Sequence, residues 1–235
     1  MNREMLQAKL FLLSDSAYAQ FQYRLKCSDH PVLGIRSPQL NALAKELAKA
    51  EGSLFIDDFL LFGDVSYEEI ILAYKVLGLL KLDSGTTQGY LRELLAYNDG
   101  WATNDTLCSA LTTVGKHQKE YWPFFLGFLS SENPWDIRFA TIALMCWYLT
   151  DEYANKTLEI LSAVTNDHYY VTMGLGWFYA TAFAKYREET LPYLKTGRLP
   201  IGVQKKAIQK CIESFRVSPE DKVLLRSIRQ EVSKR

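Results

Sequence analysis

Signals that open a helix recur along this chain at a nearly constant interval, and the interval restricts the folds open to it. Ser37-Pro38, Ser66 (with Glu69 completing a capping box), Asp99, Asn133-Pro134, Asp167 and Pro200 carry the residue types that cap or start helices. The steps between them are 29, 33, 34, 34 and 33 residues. Each interval has room for a second helix, at 54–62, 87–96, 120–129, 154–164 and 190–194. No Asn-Gly or Asp-Gly sits between alternating apolar runs as a hairpin requires, and Asp99-Gly100 precedes a helical period instead. A cadence of helix pairs in the low thirties is the signature of an α-solenoid.

The expected fold is therefore all-α, an α-α superhelix of about six HEAT-like helix pairs and roughly a dozen helices. Nothing in the chain is rich enough in Gly, Pro or Ser to serve as a flexible linker. One domain over 1–235 follows, with 1–36 as an N-terminal helical cap and 37–235 as repeats. Successive repeats in such an array line up equivalent positions along one groove.

Bulk properties exclude several classes of function. The apolar runs, such as 139–149, are too short and interrupted to span a bilayer, and the N-terminus lacks a signal-peptide pattern. Cys27, Cys108, Cys146 and Cys211 are scattered singly, which suits reduced thiols in a cytoplasmic protein. His30, His117 and His168 have no ligand spacing to one another or to a cysteine, so a zinc enzyme is not expected. Net charge is zero, but residues 200–235 hold nine basic and four acidic side chains. That surplus of five is either a solvated amphipathic helix pair or a patch for phosphates.

The stretch Tyr97-Asn98-Asp99-Gly100-Trp101-Ala102-Thr103-Asn104-Asp105 opens a helix expected to run to about Val114, capped by Asn98 or Asp99. Leu107, Leu111 and Val114 form its apolar face; Trp101, Asp105, Cys108 and Thr112 fall opposite. Trp101 and Asp105 lie one turn apart. Either the indole packs on a neighbouring helix and the acid is solvated, or the pair meets a flat cationic ligand. Arg138 and Trp177 follow at intervals of 37 and 39 residues, one repeat plus about a turn each. Trp177 among Phe178, Tyr179 and Phe183 also suits a core position, and Arg138 near a helix start could answer Asp136 or Glu132.

The pattern Trp101-Ala-Thr-Asn-Asp105, then Arg138-Phe-Ala, then Tyr-Tyr-Val-Thr-Met ahead of Trp177, resembles the bacterial DNA alkylation repair enzymes. These are HEAT-like-repeat alkylpurine DNA glycosylases. Leu33-Gly-Ile-Arg-Ser-Pro38 is similar to the family's lead into its first repeat, and Lys206-Ala-Ile-Gln-Lys210 to its C-terminal repeat. The resemblance runs from about residue 18 to the end.

It implies hydrolysis of the N-glycosidic bond of N3- or N7-alkylated purines in duplex DNA. Such a base is a cation, and two indole faces, Trp101 and Trp177, would hold it and its deoxyribose for about 0.5–2 kcal/mol each. Asp105 would stabilise the oxocarbenium-like sugar and orient the attacking water. Arg138 would grip a phosphate beside the lesion, with Lys206 and Lys210 as further phosphate contacts. A monomer is expected, without metal, cofactor or membrane.

Two departures favour the alternative of a weak or inactive DNA-binding or scaffold paralogue. The chain is neutral, where active relatives are basic along the groove, so DNA binding should be salt-sensitive. The N-terminal element that reaches DNA in active relatives is reduced here to one packing helix, with Tyr18, Phe21 and Leu25 at core spacing. Tyr23 is the candidate stand-in for its aromatic DNA contact.

Overall fold

The computed structural model describes residues 3–234. Among them there are fourteen α-helices and no strand. The N-terminal cap is α1 (Arg3–Leu13) and α2 (Ser16–Arg24). Six pairs follow: α3 (Ser37–Ala50) with α4 (Leu54–Leu60), α5 (Tyr67–Leu79) with α6 (Ser84–Leu94), and α7 (Trp101–Ala110) with α8 (Gln118–Leu126). Then come α9 (Pro134–Trp147) with α10 (Ala154–Ser162), α11 (Tyr169–Lys185) with α12 (Arg187–Lys195), and α13 (Ile201–Glu213) with α14 (Pro219–Ser233).

Ser66 and Asn133 cap their helices where the sequence places them, whereas Arg36 rather than Ser37 is the cap of α3. Ser66 accepts from the Glu69 amide while the Glu69 carboxylate accepts from the Ser66 amide, the full capping box. Asn133 caps α9 with Pro134 at its first position. His168 rather than Asp167 caps α11, one residue later than the sequence suggests.

Contacts divide the chain into two compact units, 1–121 and 122–235, and the division falls inside α8. In the first, α3, α5 and α7 pack in succession; in the second, α9, α11 and α13 do the same. Both stacks join first helices of consecutive pairs, which is compatible with an α-α superhelical fold. The first core is built on Leu43, Leu47, Ile70, Tyr74, Leu107 and Leu111, and the second on Phe139, Leu144, Leu175, Phe178, Phe183 and Ile208, all nearly or fully buried. Each core leucine or isoleucine contributes about 1.5–3 kcal/mol on leaving water.

Three local expectations fail. The α7 helix stops at Ala110, because Leu111 leaves helical geometry (φ −75°, ψ 56°) and a short 3-10 turn, Thr112–Lys116, carries the chain on. Leu107, Leu111 and Val114 are nevertheless all fully buried, so the apolar face persists across the break. Cys108, expected away from the core, is buried too, since α5 covers that side of α7. Finally, α2 buries Ala19 and Gln22, whereas Phe21 and Leu25 are nearly half exposed. The core-spaced face of α2 thus looks outward. No described helix is long and apolar enough to cross a membrane.

Candidate nucleic-acid interface

In the first unit the site begins at the start of α7. Neither Asn98 nor Asp99 caps this helix; Gly100 does, its amide donating to Thr103 Oγ1 at 3.3 Å. A side chain at Gly100 would meet the Cys27 carbonyl oxygen at 2.1 Å, so only glycine lets α7 start against the 25–30 segment.

The residues expected to cap are engaged elsewhere. Asn98 accepts from the buried Tyr74 hydroxyl at 2.8 Å. The Asp99 carboxylate accepts from Ser28 Oγ (2.8 Å) and from the amides of Asp29 (2.7 Å) and His30 (3.0 Å), with His30 Nε2 at 3.7 Å. A second acid, the fully buried Glu68, accepts from the amides of Leu33, Gly34 and Ile35 at 2.8–3.2 Å. Burial raises the Glu68 pKa, and the three N–H donors oppose that rise. Two carboxylates therefore fasten the connector between α2 and α3 to the helices behind it.

Trp101 is the first residue of α7 and is half-buried. Its indole Nε1 donates to the Leu25 carbonyl at 3.0 Å, which fixes the ring plane. Asp105 is half-buried one turn on, and Ser109 is exposed a further turn on. Trp101, Asp105 and Ser109 thus form one accessible strip, while Thr103, Asn104 and Leu107 face the core. Tyr23 is half-exposed, but its hydroxyl accepts from the Val32 amide at 2.8 Å and so also ties down the connector.

In the second unit Arg138 is the fifth residue of α9 and only 5% exposed. Its Nη1 donates to the Tyr170 carbonyl at 2.7 Å, and its side chain lies over Gly174 of α11. Asp136, one candidate for an acid answering Arg138, accepts from Ser131 at 2.7 Å. Trp135 packs against Tyr170 with ring centroids 4.8 Å apart and planes tilted by 32°.

Trp177, the ninth residue of α11, is 38% exposed beside fully buried Phe178 and Tyr179. It lines a hollow of about 210 Å³ with Thr181, Lys210, Glu213 and Arg216. Arg216, which sequence reasoning passed over, brings a second cation to this indole; only the contact between α11 and the end of α13 reveals it. Lys206 crosses over Gly176 and donates to Gln209 at 3.1 Å.

Trp101, Arg138 and Trp177 are the first, fifth and ninth residues of their helices, a steady advance of one turn per repeat. Asp105 shares the fifth position with Arg138. Among the described residues no group of three or more His, Cys, Asp or Glu is placed to hold a metal ion. No curated protein matches the chain. The family described as DNA alkylation repair enzyme matches residues 6–211, almost the whole helical array, and the chain belongs to that family.

Proposed function

We propose that this protein is an alkylpurine DNA N-glycosylase, hydrolysing the bond between deoxyribose and an N3- or N7-alkylated purine in duplex DNA. The observation that carries the reading is the strip on α7: an indole held in a fixed plane and a carboxylate one turn away, both reachable from solvent. The family supplies the repair context.

The chemistry needs little more. The cationic base leaves with the electron pair of its glycosidic bond and becomes neutral. The sugar carbon passes through an oxocarbenium-like state, which the Asp105 carboxylate stabilises. A water oxygen then bonds to that carbon, and its proton passes to the carboxylate or to solvent. Trp101 offers its face to the cation. Trp177, flanked by Lys210, Glu213 and Arg216, suits a sugar–phosphate backbone better than a cationic base. Lys206 and Lys210 contact phosphates, the buried Arg138 braces the Tyr170 carbonyl, and Tyr23 shapes the connector beside Trp101. The protein acts as a monomer in the cytoplasm.

The neutral chain and the burial of Arg138 favour a second reading, a DNA-binding paralogue that has lost the chemistry. Release of free methylated purine from methylated duplex DNA, measured beside a salt-dependent binding curve, separates the two. Base release with salt-sensitive binding supports the glycosylase; binding without release supports the paralogue; absence of both overturns each.

A further inference from the structure

The first unit contains a hollow of about 290 Å³ lined by Asn41 and Lys45 of α3, Lys75 of α5, Thr106 and Ser109 of α7, and Thr112 of the 3-10 turn that follows. No carboxylate lines it. Neither lysine was singled out by sequence, since their spacing of 30 residues is unremarkable until α3 and α5 are packed side by side. Gly78 and Ala110 also line the hollow, and there α5 and α7 touch so closely that a side chain at Gly78 would meet the Ala110 carbonyl oxygen at 2.2 Å.

We propose that this hollow is a phosphate subsite, occupied by a phosphodiester of the DNA strand that carries the lesion. The inference rests on the DNA reading above and extends it to residues nothing else assigns. Two ammonium groups face one concavity and, among the described residues, neither has a hydrogen-bond or ion-pair partner. The hydroxyls of Thr106 and Thr112 and the Asn41 carboxamide stand beside them as further donors, while the Ser109 hydroxyl donates to the Thr106 carbonyl at 3.1 Å. Lys75 is half-buried, and desolvation lowers its pKa, so an anion in the hollow would restore the stability of its charged form. Ser109 belongs to both the hollow and the Trp101–Asp105 strip, so the subsite begins one helical turn, about 5.4 Å, beyond the candidate acid.

The test titrates the full chain into a fluorescently labelled duplex over a potassium chloride series. Lys75→Gln and Lys45→Gln should each weaken binding several-fold and reduce the slope of log affinity against log salt by about one, the signature of a lost phosphate contact. Lys75→Arg should retain both. Unchanged slopes in both glutamine variants overturn the proposal. A second arm adds orthophosphate and reads thermal stability. A rise in Tm for the wild type that Lys75→Gln loses, together with unaltered DNA slopes, would assign the hollow to free phosphate and overturn the DNA source. If the wild type binds no duplex even at low salt, the DNA reading itself has failed. Orthophosphate then decides the hollow alone: no rise in Tm overturns an anion site there.

Discussion

The two candidate indoles sit in opposite circumstances. Trp101 opens its helix, is half-buried, and spends its only donor on the Leu25 carbonyl; everything under it is tied down by Asp99, Glu68, Tyr23 and the close contact at Gly100. Trp177 lies in the middle of a helix, more exposed, above a hollow whose other polar groups are the side chains of Thr181, Lys210, Glu213, Ser214 and Arg216. One ring is presented by a rigid backbone, the other stands over adaptable charges. The difference teaches that Trp101 is held by fixed backbone geometry, whereas Trp177 is set among side chains that can adjust. Substitutions around Trp101 should therefore act through geometry, and those around Trp177 through affinity.

Gly100→Ala is the harshest way to break that contrast. The new methyl group must displace the Cys27 backbone, and we expect a loss of about 3 kcal/mol or more in urea denaturation, with base release lost as well. An alanine tolerated without cost would mean that the start of α7 is not fixed by the connector.

Asp99→Asn comes next. It keeps the shape but weakens charge-assisted bonds to Ser28, Asp29 and His30, for about 1.5–3 kcal/mol. A thiol reagent makes the loosening visible. Cys27 is buried, with its pKa raised by desolvation, and Cys211 is buried with its pKa pushed up to about 12, so both are thiols rather than thiolates at pH 8. In the wild type only exposed Cys146 should react quickly. In Asp99→Asn, Cys27 should become reactive while Cys211 stays silent; equal protection of Cys27 in both proteins would remove Asp99 from its fastening role.

A milder comparison exchanges each indole for phenylalanine. Trp101→Phe loses the bond to Leu25 and should cost about 1 kcal/mol of stability, whereas Trp177→Phe should cost close to nothing. Identical losses would erase the distinction between a held ring and an open one.

Much of the array was legible in sequence because helix caps are local chemistry. Ser66 with Glu69 and Asn133 with Pro134 act within one turn, and the structure uses them where the sequence places them. Asp99 was misread for the same reason. A carboxylate ahead of a helix is an N-cap by local rules, but here the connector at 28–30, some 70 residues away in sequence, offers it a hydroxyl and two amides. The outward face of α2 escaped likewise, since periodicity shows that Phe21 and Leu25 share a side and not whether anything covers it. Trp177 stood among core aromatics in sequence, and only its place on α11 turns it outward. Lys75 and Arg216 gave no sequence signal, because their surroundings are assembled from separate helices.

The account turns on Asp105. Single-turnover release of methylated purine from duplex DNA, measured for the wild type and Asp105→Asn at saturating protein, tests it most directly. The wild type should release the base, and the asparagine variant, folded and still binding DNA, should be slower by about a hundredfold or more. Equal rates from the two proteins would contradict the account.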